Sequence, residues 1–334
     1  MSFGLRSKSR RALSCLALLL QSCSGAPSRT ALTHSSDLVD VLFVGDVLLD
    51  EGAGRLIAAG GDPFSEVASA FESADLVVAN LECPIARGGA VVDKIYTFRA
   101  APATADVLAR HVDAVSLANN HSGDYGPSAL GETFAELHRV HVPFFGAGED
   151  AKRAHAPLII ERGGMRIALL GYDEFHPRWF EATAATAGVA WSEDEQTIAD
   201  IHLAHEMGAQ IVIPFLHWGW ENEGEGARQR ELARILIDAG ADAVIGAHPH
   251  VVQGAELYRG KPIVYSLGNF VFSLIDYESN RVGWMLRLQL DRRGVVRWTN
   301  QVVRIDDQGV PHPDPLAAAP CGERGWSTAR ECRP

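Results

Sequence analysis

From residue 39 onward the chain alternates short, largely apolar runs with polar loops and stretches of helical spacing. Residues 41–44, 76–79, 114–118, 211–216 and 243–245 are such runs, and each ends abruptly in polar side chains. Continuous apolar runs of this length are what strands covered on both faces look like. Between them, residues 64–71, 104–111, 127–140, 194–207 and 227–239 place apolar side chains three and four apart, which predicts helices. Pro127 and Asp194 are starts and Gly208 and Gly240 are stops. Residues 157–171, with Gly163-Gly164 at their centre, read as a hairpin, and a further β region spans about 255–305. Alternating β and α followed by hairpins predicts sheets sandwiched between helices. Residues 306–334, rich in Pro, Asp, Ala and Gly, read as an irregular tail.

The first 22 residues have a different character. Arg6, Lys8, Arg10 and Arg11 precede an apolar run at 12–20, too short to cross a bilayer but suited to an export signal. Leu20-Gln21-Ser22-Cys23 then resembles a bacterial lipobox, which predicts lipidation at Cys23, a membrane-anchored lipoprotein of the bacterial cell envelope and a tether over 23–37. Cys321 and Cys332 are spaced to form a disulfide in an oxidising compartment. Cys83 reads as a small buried residue.

The chemistry lies where the strands end. Asp46, Glu82, Asn120, His121, His217, His248 and His250 each follow a buried run. In open α/β sheets the carboxyl ends of strands converge on one ligand site. Oxygen and imidazole donors without a thiolate suit one or two divalent ions: manganese, iron, zinc or magnesium. Pro249 predicts an extended backbone that turns His248 and His250 to opposite sides, one imidazole per metal or one supporting the other. Lys94, Tyr96 and Arg99 are candidates for binding an anionic substrate. Asp124-Tyr125-Gly126 reads as a turn, and residues 172–187 as a lid or a loop. Thirty basic against 42 acidic side chains give a net charge of −12, which excludes non-specific nucleic-acid binding.

Six stretches together resemble the CapA family of poly-γ-glutamate capsule synthesis proteins, in the calcineurin-like metallophosphatase superfamily. They are Phe43-Val44-Gly45-Asp46-Val47-Leu48, Ala79-Asn80-Leu81-Glu82, Ser116-Leu117-Ala118-Asn119-Asn120-His121, Leu216-His217-Trp218-Gly219, Gly246-Ala247-His248-Pro249-His250-Val251-Val252-Gln253-Gly254 and Tyr265-Ser266-Leu267-Gly268-Asn269-Phe270. The resemblance implies a four-layer α/β/β/α sandwich over 38–305. It also implies metal ligands at Asp46, Glu82, Asn120, His217, His248 and His250, with His121 and Glu82 catalytic. The implied role is metal-dependent hydrolysis or transfer at a phosphoester or γ-glutamyl amide of an anionic capsule polymer, alongside capsule synthesis membrane proteins. Leu48 stands where metallophosphatases usually carry a histidine. That departure keeps open a second role, as a non-catalytic assembly or tethering subunit.

Overall fold

The computed structural model describes residues 38–333, so the expected export signal, the expected lipidation at Cys23 and the expected tether lie outside the described residues. The chain begins with β1 (Val39–Val47), α1 (Glu51–Ala58), α2 (Ala68–Glu72), β2 (Leu76–Leu81), α3 (Ala103–Leu108), β3 (Ala114–Ser116), α4 (Gly126–Arg139) and β4 (Phe144–Phe145). It continues through β5 (Ala147–Gly148), α5 (Ala151–Ala154), the hairpin of β6 (Leu158–Arg162) and β7 (Met165–Asp173), β8 (Gly188–Val189), α6 (Asp194–Glu206), β9 (Ile211–His217), α7 (Ala227–Ala239) and β10 (Val244–Ala247). The last third is β11 (Ala255–Tyr258), β12 (Lys261–Val264), β13 (Asn269–Val271), β14 (Val282–Asp291), β15 (Gly294–Ile305), β16 (Pro311–Pro313), β17 (Ala319–Glu323) and β18 (Arg330–Cys332).

Two sheets form the centre. The first has the path β18-β17-β15-β14-β1-β2-β3-β4, with β13 beside β1 and β16 beside β15; the second runs β11-β12-β10-β9-β7-β6. Strand alternation explains the unbroken apolar runs. Along β1, Val41 and Phe43 face the second sheet, where Phe43 meets Phe215 edge-on at 5.9 Å. Leu42 and Val44 face the other way, into a core with Phe71, Leu130 and Phe134 from the helices. On the far side, Leu170 and Val212 pack against Ile201, Leu232 and Leu236 of α6 and α7. The layers are therefore α/β/β/α, each strand being covered on both faces as its sequence requires.

Helix ends follow their signals. Gly240, at φ 119°, closes α7, and Gly208, at φ 87°, follows α6. Helix α1 was not legible: two glycines in Glu51-Gly52-Ala53-Gly54 dilute its pattern, and Asp50 caps it by accepting from Glu51 N. The irregular tail expected at 306–334 is a correction. Residues 311–332 supply three short strands to the first sheet, and a Cys321–Cys332 disulfide joins β17 to β18. Strands of three to five residues, two of them with prolines, are too short for alternation to show.

Candidate metal centre

The parallel strands β1, β2, β3, β9 and β10 all deliver their polar ends to one place. At the end of β1 the register with β2 shifts between Val44 and Asp46, which turns Asp46 inward. Gly45 permits this shift. A Cβ there would lie 1.9 Å from the Gly268 carbonyl oxygen, which accepts a hydrogen bond from Asp46 N. Asn80 at the end of β2 donates to Asp46 Oδ1 at 2.8 Å, and its own Oδ1 accepts from Asn119 Nδ2 at 3.0 Å. A buried amide relay thus fixes three strand ends relative to one another.

His217 is the hub. Its Nε2 lies 2.9 Å from Asn120 Oδ1, 3.0 Å from His248 Nδ1 and 3.4 Å from a Glu82 carboxylate oxygen. His250 Nδ1 lies 3.4 Å from Asp46 Oδ2 and 2.9 Å from Asn269 Oδ1. The expectation that Pro249 would splay His248 and His250 is corrected. Both adopt left-handed backbone, φ 96° and 57°, and their ring centroids are 5.9 Å apart on the same pocket. That conformation is costly for a residue with a Cβ, and it persists here where both rings are needed on one side.

Ligand atoms of Asp46, Glu82 and His217 lie within 4.8 Å of one another, and so do those of Glu82, His248 and His250. Glu82 belongs to both groups. It is fully buried, yet neither carboxylate oxygen has a hydrogen-bond partner, and His248 Nε2 has none either. Buried polar atoms are almost always paired, so orphaned acceptors converging on one volume fit a cation. The electrostatics agree. Burial, then the Asp46 charge, pushes the Glu82 carboxyl well above its ordinary value. Burial, then neighbouring imidazoles, pushes His217 and His248 down. For His250 burial acts downward, but the Glu82 and Asp46 carboxylates outweigh it and raise the ring to about 10. The donors therefore suit one or two hard or borderline divalent ions.

The family model described as bacterial capsule synthesis protein PGA_cap matches residues 40–274. The chain belongs to this family. It is 32% identical over 289 residues to the PGA biosynthesis protein CapA of Bacillus subtilis (strain 168), which covers 84% of this chain and 75% of that protein. It is 28% identical over 250 residues to the capsule biosynthesis protein CapA of Bacillus anthracis, covering 72% and 61% of the two chains. A hypothetical protein from Thermus thermophilus shares the fold, with a TM-score of 0.52 at 21% identity over 79% of this chain and 98% of that one.

In this PGA_cap member the centre has a further layer that the sequence did not disclose. His121 Nδ1 pairs with the buried Asp124 at 2.7 Å, so the residue read as a turn former orients the imidazole. The spacing of three was the available signal. Burial outweighs Asp124 and lowers His121 to about 4. Lys94 Nζ donates to Asp124 Oδ1 at 2.9 Å and to the Asn120 carbonyl at 2.7 Å, and so holds the same loop. Of the other anion-binding candidates, Arg99 turns to the Gly88 carbonyl and lies over Tyr125 at 4.3 Å, so it braces its own loop. Tyr96 is exposed on that loop. Residues 172–187 approach the centre: Phe175 meets His248 edge-on and Lys94 lies against the Trp179 ring. Asp173, at the end of β7, is buried there and raised to about 7, chiefly by burial. Leu48 is fully buried in the helix-side core. Cys83 is buried, as its sequence context implies, and burial pushes its thiol up.

Proposed function

We propose that this protein is an envelope lipoprotein, anchored through Cys23, that hydrolyses or transfers a phosphoester or γ-glutamyl amide of poly-γ-glutamate or a related anionic capsule polymer. The observation that carries this reading is the buried, unpartnered Glu82 carboxylate shared by two potential ligand groups. A divalent ion held by Asp46, Glu82, Asn120, His217, His248 and His250 would supply charge stabilisation for the transition state and an activated water.

The chain's own residues supply orientation and proton movement. Asp124 accepts from His121 Nδ1, which leaves Nε2 of the neutral ring free to take a proton from the attacking group and return it to the leaving group. Lys94 pairs with Asp124 and holds it in place. Phe98, 4.5 Å from the His121 ring, limits water around it.

The test is the metal content of the purified full chain, followed by turnover of bis(p-nitrophenyl) phosphate and of γ-glutamyl oligopeptides. The reading expects metal at stoichiometric level, lost in Glu82→Ala, and turnover of at least one substrate class. A metal-free wild-type protein would sink it. Leu48 in place of an imidazole favours the second reading, a non-catalytic assembly subunit of capsule synthesis membrane proteins. Stoichiometric metal without turnover of either class would establish that alternative over the first.

A further inference from the structure

A protein that handles a polyanion needs positive surface, and the mouth of the metal centre does not provide it. Asp93, Glu221, Glu223 and Asp276 are exposed on the loops following β2, β9 and β13 and make no ion pair among the described residues. These loops close on the centre: Asn280 on one bonds Asn222 on another and the His250 carbonyl. A free carboxylate chain would meet like charges there.

Positive charge gathers on another face. In the β14–β15 ladder Arg287 lies opposite Thr299, Gln289 opposite Arg297 and Met285 opposite Gln301. Leu286, Leu288, Trp298 and Val302 point into the core between the sheets, so by alternation these six lie on the opposite face, where Met285 is buried in the helix-side core and the other five are at least partly exposed. They form a groove of about 300 Å³ with Leu42 and Met285 in its floor and Arg333 at its side. No acidic side chain lines it, although the chain carries a net charge of −12. Arg287 is held by Ser73 Oγ and the Ala70 carbonyl at the end of α2, with the Asp40 carboxylate 4.0 Å away outside the groove lining. Arg297 is half exposed, with only a 3.8 Å approach to Glu323, and Arg333 is exposed and makes no ion pair among the described residues. Outward side chains on such a sheet repeat every ~7 Å along a strand and ~5 Å across strands. Guanidinium and carboxamide donors on that grid match planar carboxylates.

The geometry points to a second anion site on this face, a groove that holds an extended polycarboxylate chain. This rests on the proposed reading that the protein handles such a polymer. The groove is separate from the metal centre, because Leu42 in its floor precedes Asp46 by four residues of extended strand, about 13 Å. It would hold the body of a polymer whose reacting part lies elsewhere.

The experiment uses the full chain and fluorescently labelled poly-γ-glutamate, with affinity read by anisotropy at low and moderate salt. Arg297→Gln with Arg333→Gln, both at exposed positions, should weaken binding at least tenfold and flatten its salt dependence. Removing two exposed guanidiniums elsewhere, Arg55→Gln with Arg259→Gln, should leave affinity within twofold. His248→Ala should also retain polymer binding. The groove is overturned if wild-type protein does not bind the polymer, if both double variants behave alike, or if His248→Ala abolishes binding. Equal, competing binding of inorganic polyphosphate would overturn the polycarboxylate assignment. Turnover of the phosphodiester and of short γ-glutamyl peptides, measured on the same samples, judges the catalytic reading independently.

Discussion

The His121 imidazole and the Asp124 carboxylate meet at 2.7 Å, both buried and three residues apart on the loop that follows β3. Asp124 acts against burial, raising a ring that burial lowers to about 4. In Asp124→Asn the ring should therefore titrate lower still, and its orientation should loosen. The expected result is a ~10²-fold or greater fall in kcat, as for loss of a positioned proton-transfer group, with the acid limb of the pH–rate profile moved to lower pH. An unchanged profile would remove His121 from the reaction.

Glu82 sets stability against metal binding. Its folded-state carboxyl is raised, so the metal-free protein contains a carboxylate that is easier to ionise when unfolded. Stability from this group is present below its ordinary value and is lost as pH rises through the folded value. Glu82→Gln should remove that loss. Without metal the variant should be more stable than wild type near pH 7, by about 1.4 kcal/mol for each pH unit between the ordinary and the folded-state carboxyl value, because the amide has no ionisation to lose. It should also lose the thermal stabilisation that added manganese or zinc gives the parent. Melting curves in chelator and in metal test both halves, and a variant equally stabilised by metal would contradict the assignment.

The strand-end candidate ligands were legible because each buried run stops where its backbone leaves the core. Asp46, His217 and His248 mark those stops, and parallel strands bring them together. The relay behind them was not legible. Asn80 and Asn119 look like ordinary loop amides until their mutual hydrogen bond is seen. The left-handed backbone at His248 runs against the extended preference that Pro249 sets for the residue before it, and that at His250 is unfavourable for any side chain with a Cβ, so tertiary packing decides both. Strands β16 to β18 escape detection because pairing of β16 and β17 with β15, pairing of β18 with β17 and a disulfide stabilise them, none of which periodicity reports.

Gly45 tests whether close strand approach builds the centre. Alanine at this position places a Cβ 1.9 Å from the Gly268 oxygen, a backbone atom that no rotamer change can clear. One side must move, and with it Asp46 or the loop that carries Asn269. Gly45→Ala should cost about 2–4 kcal/mol in denaturant unfolding and lower metal content together with stability. Retained metal at reduced stability would show that the ligands do not depend on this approach.

The proposed membrane attachment rests on residues outside those described, and its test is direct. Cys23→Ala should move the protein from the membrane to the soluble fraction and abolish labelling by a lipid precursor, because one residue carries the proposed anchor. Labelling that persists in the variant would refute the lipoprotein reading without touching the metal centre.

Leu48 bears on whether the missing imidazole can be restored. Its side chain is fully buried in the core that the helices form with the first sheet, alongside Leu42 and Phe71. Histidine there would exchange apolar packing for a polar ring without a partner, at about 2–4 kcal/mol. Leu48→His is therefore expected to lower the unfolding midpoint without raising metal stoichiometry. A gain of one bound ion, measured by elemental analysis, would show that the helix-side packing yields to coordination and that the centre lacks only this ligand.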